Sequence, residues 1–100
     1  MTPAPTRGSS MRRVAQICRK HDVPKVDAEF ERLNIAAWFD ACARDGEPLL
    51  SAYVKRMQDL LDSAKGKGSA PRHYIELRQV FLDVALHFQQ LKAAPAESAS

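Results

Sequence analysis

The stretch PRHYIELRQVFLDVALHFQQLKA, residues 71–93, restricts the fold more than any other part of the sequence. Tyr74, Leu77, Phe81, Val84, Phe88 and Leu91 recur at alternating steps of three and four, which gathers them on one side of an α-helix. A second apolar set, Ile75, Leu82 and Leu86, lies a quarter-turn or more away. A helix that is apolar on two sides packs on two sides. It therefore sits either at the centre of a bundle or between its own bundle and a partner.

The preceding segments read as helices that could surround it. Ser9 or Ser10 suits the N-cap of a first helix running to about His21, with Met11, Val14, Ala15 and Cys18 on one face, widened by Ile17. Asp22-Val23-Pro24 ends it, because the residue before a proline is pushed out of the helical region. In the segment 24–45, Val26, Phe30, Leu33 and Ala37 repeat at helical spacing, and Glu29, Glu31 and Arg32 are expected to face out. From Ile35 onward the residues IAAWFDAC are apolar nearly all round. Either one long helix becomes fully buried there or a break falls near Asn34. A break is the favoured expectation, since Asn is a poor interior residue and a good cap. Asp45-Gly46 is a stop, with Gly expected in the left-handed cap conformation.

A third helix is expected over Pro48–Lys65, where Leu50, Tyr53, Val54, Met57, Leu60, Leu61 and Ala64 form an unbroken stripe. The loop Gly66-Lys67-Gly68-Ser69-Ala70 follows, and Pro71 opens the last helix. The fold class expected is all-α, a small bundle of three to five helices over residues 11–93. By composition, 1–10 and 94–100 are disordered tails. Met11 before Arg12 and Arg13 is an alternative to Met1 as the native start.

Chemistry-bearing residues are sparse. Cys18 and Cys42 sit inside apolar helical patterns, far apart, and read as buried reduced thiols rather than a metal box or disulfide framework. No signal-peptide core and no run approaching the ~20 apolar residues of a spanning helix is present, so a cytoplasmic protein without membrane contact is expected. His21, His73 and His87 are scattered, and none stands at metal-ligand spacing with another ligand; His87 reads as a partly buried structural residue. Asp59 and Asp62 read as ordinary solvated carboxylates, and Gly66-Lys67-Gly68-Ser69 lacks the strand and spacing of a phosphate loop. No catalytic residue, metal or cofactor is expected, and the protein reads as a non-enzyme.

Charge is more informative. In a chain of 100 residues with formal charge +3, Arg7, Arg12, Arg13, Arg19, Lys20 and Lys25 stand against Asp22 alone at the N-terminal end. The next segment is acidic, with Asp27, Glu29, Glu31, Asp40, Asp45 and Glu47 against Arg32 and Arg44. The stretch VAQICRKHDVPKVDAEFERL is loosely similar to the opening of helix-turn-helix units in bacterial regulators and transposase subunits. It departs at Asp22, where Gly is usual, and its second helix carries Asp27, Glu29 and Glu31, which phosphates repel.

A plainer polyanion site remains. Arg12, Arg13, Arg19 and Lys20 share a broad face of the first helix, and Lys55, Arg56, Lys67 and Arg72 form a second basic set. The function expected is a small bacterial-type accessory or regulatory protein gripping a nucleic acid or nucleoprotein complex through these residues. The alternative is a helical adaptor or inhibitor docking on another protein through Trp38, Phe39 and the last helix, with Phe81 and Phe88. Self-association as a homo-oligomer would use the Tyr74–Leu91 heptad.

Overall fold

The computed structural model describes the backbone of residues 3–99 and side chains as far as Ala93. It holds four helices, α1 (Arg7–Lys20), α2 (Lys25–Arg44), α3 (Leu49–Lys67) and α4 (Arg72–Ala99), and no strand among the described residues. The chain is thus a small all-α bundle. The tail expected over 94–100 falls on residues whose side chains lie outside the described ones, although the backbone stays helical to Ala99. No helix among the described residues is long and apolar enough to cross a membrane.

Helix α1 begins before Ser9, because Thr6 is a better-placed cap. Ser9 N–H donates to Thr6 Oγ1 at 2.9 Å, and Thr6 N–H donates to Ser9 Oγ at 2.8 Å. This reciprocal box satisfies two donors that a helix N-terminus otherwise leaves open. At the other end, Val23 N–H reaches Cys18 O and Asp22 N–H reaches Arg19 O, the paired bonds of a Schellman stop. Asp22 takes the left-handed conformation, φ 53°, that this stop requires. Asp tolerates it better than most residues, though less well than Gly.

Helix α2 is continuous, and the break expected near Asn34 is absent. The reason lies in its two apolar faces. Ala28, Ile35, Trp38, Phe39 and Cys42 pack inward on one side, so the helix crosses Asn34 without losing its grip on the core. The stop at Asp45 falls where expected, but with an extended cap (φ −86°, ψ 150°) instead of a left-handed glycine. Its last carbonyls are taken by Lys92, whose Nζ donates to Cys42 O and Ala43 O at 2.9 Å each, and to Asp45 O. A cation at a helix C-terminus satisfies both the open carbonyls and the macrodipole. The left-handed glycine is found instead at Gly68, φ 67°, which closes α3.

Helix α4 is the axis of the bundle. Arg13 and Lys20 of α1 reach Asp83 and Glu76 on one flank. Trp38 and Phe39 of α2 meet Phe81 and Phe88 on the face carrying the main stripe. Gln89, one turn pair beyond Leu82, bonds Ser51 and Glu47 near the start of α3, so the second apolar set faces α3. The two-sided pattern therefore serves the bundle's own interior; only Leu91, at the far end of the stripe, is exposed. Helices α2 and α4 run parallel, with Arg78, Phe81 and Lys92 meeting Glu31, Trp38 and the α2 C-terminus in the same order.

One ion pair lies inside this packing. Arg78 Nη2 donates to both carboxylate oxygens of Glu31 at 2.6 Å, with side chains only 11% and 18% exposed. Its guanidinium stacks over Phe81 at 4.5 Å and Tyr74 at 5.2 Å. Glu31, expected to face out, thus faces α4.

Candidate docking face and basic surface

Turning Glu31 and Ile35 inward turns the other α2 stripe outward. Val26, Phe30 and Leu33 are 81%, 66% and 55% exposed, and Ala37 is exposed beside them. Of the five large apolar side chains exposed in the described structure, these three share one line. Steps of four, three and four keep them within an arc of about 60° along some 16 Å of helix (roughly 11 residues at 1.5 Å). Immediate flanks are Asp27 and Asn34 on one edge, Glu29 and Asp40 on the other. Arg32 holds Glu29, and Arg7 holds Asp40 at 3.2 Å. The result is an apolar seam with an acidic rim, on the side of α2 away from α4. Sequence periodicity detected this stripe but placed it inside.

The four aromatics expected at an interface belong to the interior. Phe81 is 1% exposed, and Phe88 is buried edge-on against Phe39 at 5.0 Å. Trp38 Nε1–H donates to Phe81 O at 2.9 Å, and its ring packs on Tyr53 and Phe81. These residues tie α2, α3 and α4 together and are not available as surface anchors. Their large areas make them the first choice for burial in so short a chain.

The basic residues are all exposed but divided. Arg12, Arg13, Arg19 and Lys20 lie on α1, and Lys55, Arg56 and Lys67 lie on α3, with Arg72 at the start of α4; α1 and α3 flank α4 on different sides. Arg13 pairs with Asp83 at 2.8 Å, Lys20 with Glu76 at 3.0 Å and Lys55 with Asp59 at 3.1 Å. Arg12 and Arg19, two turns apart on one side of α1, make no ion pair among the described residues. Arg19 also borders an open groove of about 540 Å³ between α1 and α2, floored by Ala15, Cys18 and Ala28. The helix-turn-helix resemblance ends here, because α2 presents an apolar seam to solvent where a reading helix presents polar side chains.

His21 Nε2–H donates to Glu76, whose carboxyl is held below its ordinary value by Lys20 and then by His21. His87 packs edge-on to Phe88 at 5.0 Å, half-buried. Cys18 and Cys42 are buried free thiols. Burial pushes Cys42 up to about 11 and raises Cys18, with Glu31 adding to the second shift, so neither is activated as a nucleophile. Among the described residues, no three His, Cys, Asp or Glu side chains converge to hold a metal ion. Set beside known proteins, the chain matches no family model, and no curated protein or solved structure shows significant similarity to it.

Proposed function

We propose that this is a small non-enzymatic accessory protein that works by receiving an amphipathic protein helix on the outer face of α2. The observation that carries the reading is the solvent-facing line Val26, Phe30, Leu33 and Ala37. Isolated exposed apolar residues are ordinary, but a contiguous seam at coiled-coil spacing has the form of one half of a helix–helix contact. Phe30 at its centre is the anchor, and the rim of Asp27, Glu29 and Asp40 favours a partner with neutral or basic flanks. The two unpaired thiols suit a reducing compartment such as the cytoplasm.

A photo-crosslinking amino acid at position 30, in cells producing the protein, tests the reading. It predicts a discrete crosslinked protein species from position 30 and none from position 58 on the exposed side of α3. Absence of any adduct from position 30 contradicts it.

A second reading, nucleic-acid or nucleoprotein binding, is favoured by Arg12 and Arg19, which are exposed and unpaired among the described residues. Arg13 and Lys20 can join them, because exposed ion pairs contribute only about 0–1 kcal/mol and exchange readily for phosphates. Fluorescence anisotropy with labelled duplex and single-stranded DNA and RNA tests it. Binding should weaken steeply with salt and fall in Arg12→Gln/Arg19→Gln. No binding at low salt contradicts this reading and leaves the first untouched.

A further inference from the structure

We infer that the groove between α1 and α2 is a binding site for a small anionic amphiphile, a molecule with an apolar body and one carboxylate. The site is separate from the docking reading above and does not depend on it. The groove encloses about 540 Å³, within the ~300–1,000 Å³ typical of small-molecule sites. Its size follows from the sequence. Ala15 of α1 and Ala28 of α2 both line it, and their methyl side chains leave open the space that larger residues fill between paired helices. Cys18, buried, and Val23 complete an apolar floor, and the turn carrying Asp22 and Val23 joins the two walls at one end. At the ~30 Å³ that one water occupies, the space corresponds to roughly 18 heavy atoms.

Charge gives the ligand its sign. The charged side chains bordering the apolar floor are Arg19, Lys25, Arg32, Asp22 and Glu29. Glu29 and Arg32 cancel, because they pair with each other along α2. Arg19, Lys25 and Asp22 make no ion pair among the described residues, which leaves two cations against one carboxylate. One negative charge on the ligand therefore brings the groove to neutrality, whereas a cationic ligand adds to an existing excess. Arg19 lies in the last turn of α1 and Lys25 opens α2, so both stand at the end of the groove nearest the turn. The carboxylate belongs there, where a guanidinium offers it two parallel N–H donors. The apolar body then lies along Ala15 and Ala28. Glu29 stands between this groove and the outer face of α2, and the two surfaces share no apolar residue.

The test is a methyl NMR titration of the full chain with decanoate, using decanol and decyltrimethylammonium as the uncharged and cationic counterparts. Decanoate should saturate one site with a Kd below about 1 mM. It should shift the methyls of Ala15, Val23 and Ala28 more than those of Leu33 and Ala37 on the outer face. Decanol and the cation should bind at least about fivefold more weakly, the worth of one partly exposed charge pair. Arg19→Gln, a change at an exposed position, should weaken decanoate by about the same factor. Asp22→Asn should strengthen it, because the opposing carboxylate is gone and Asn tolerates the left-handed turn. No saturation by about 10 mM, decanol binding as tightly as decanoate, or shifts centred on Leu33 and Ala37 overturns the inference. So does an Arg19→Gln protein of unchanged affinity, or an Asp22→Asn protein that binds less tightly. None of these results bears on docking at Phe30, which the crosslinking experiment tests separately.

Discussion

Truncating Glu31 to Ala should be among the most damaging single changes to the stability of the protein. The Arg78 guanidinium is 11% exposed, lies between the rings of Phe81 and Tyr74, and already has a buried Nε without a partner among the described residues. Glu31 supplies the acceptors for its Nη2. Removing one member of a buried pair costs about 3–5 kcal/mol, because the other charge stays buried. The residual exposure lets some water in, which lowers the expectation to about 2–4 kcal/mol. Replacing both members should behave differently. Glu31→Met/Arg78→Met fills similar volume and buries no charge, so it should lie within ~1 kcal/mol of wild type. Urea unfolding followed by circular dichroism and by the fluorescence of Trp38, beside the pair's helix contact, reports both. The expected coupling between the two sites is large and favourable to the double variant. A Glu31→Ala cost below about 1 kcal/mol, or a double variant as unstable as the single, would refute the view that charge burial governs this contact.

Three further outcomes follow from the geometry. Asp22→Gly should stabilise the protein by about 0.5 kcal/mol in thermal unfolding, since Gly adopts the left-handed stop freely but loses more chain entropy on folding; a loss of stability would contradict the assigned turn. Lys92→Met should cost about 1 kcal/mol and speed amide hydrogen exchange around residues 43–46, where the α2 carbonyls lose their donor. Glu76 is held below its ordinary value of 4.5 by Lys20 and His21, so its contribution is present above that pH and is lost as pH falls through the lower folded value. Stability of the wild type should therefore decline below about pH 4.5, and Glu76→Gln should flatten that decline while lowering stability at neutral pH. An unchanged pH slope would remove Glu76 from the account.

The parts of this architecture that were legible in the sequence are those set by a single dominant periodicity. Helix α3 and its stripe from Leu50 to Ala64 emerged with ends within two residues, and α4 emerged with both of its packing sides. Cys18 and Cys42 were readable as buried because each stands among apolar neighbours. Helix α2 was not readable in the same way. It carries two apolar lines, Val26–Phe30–Leu33–Ala37 and Ala28–Ile35–Phe39–Cys42, roughly half a turn apart, and periodicity cannot say which one the other helices cover. The signal that could have decided it was Trp38: extending its inward side back by seven residues reaches Glu31, which then needs a buried cation. Arg78 answers from 47 residues away, a pairing that local patterns do not carry. The basic residues posed a different problem. Composition shows their number, but only the bundle shows that Asp83 and Glu76 stand beside Arg13 and Lys20.

The central claim is that the outer line of α2 is surplus to folding and therefore free to bind. Its most direct test is the unfolding free energy of Phe30→Glu from urea titration. Because Phe30 is 66% exposed, the account predicts a change within about 0.5 kcal/mol of wild type. A loss above about 2 kcal/mol, of the kind expected for a buried aromatic such as Phe81, would place Phe30 in the core and contradict the claim.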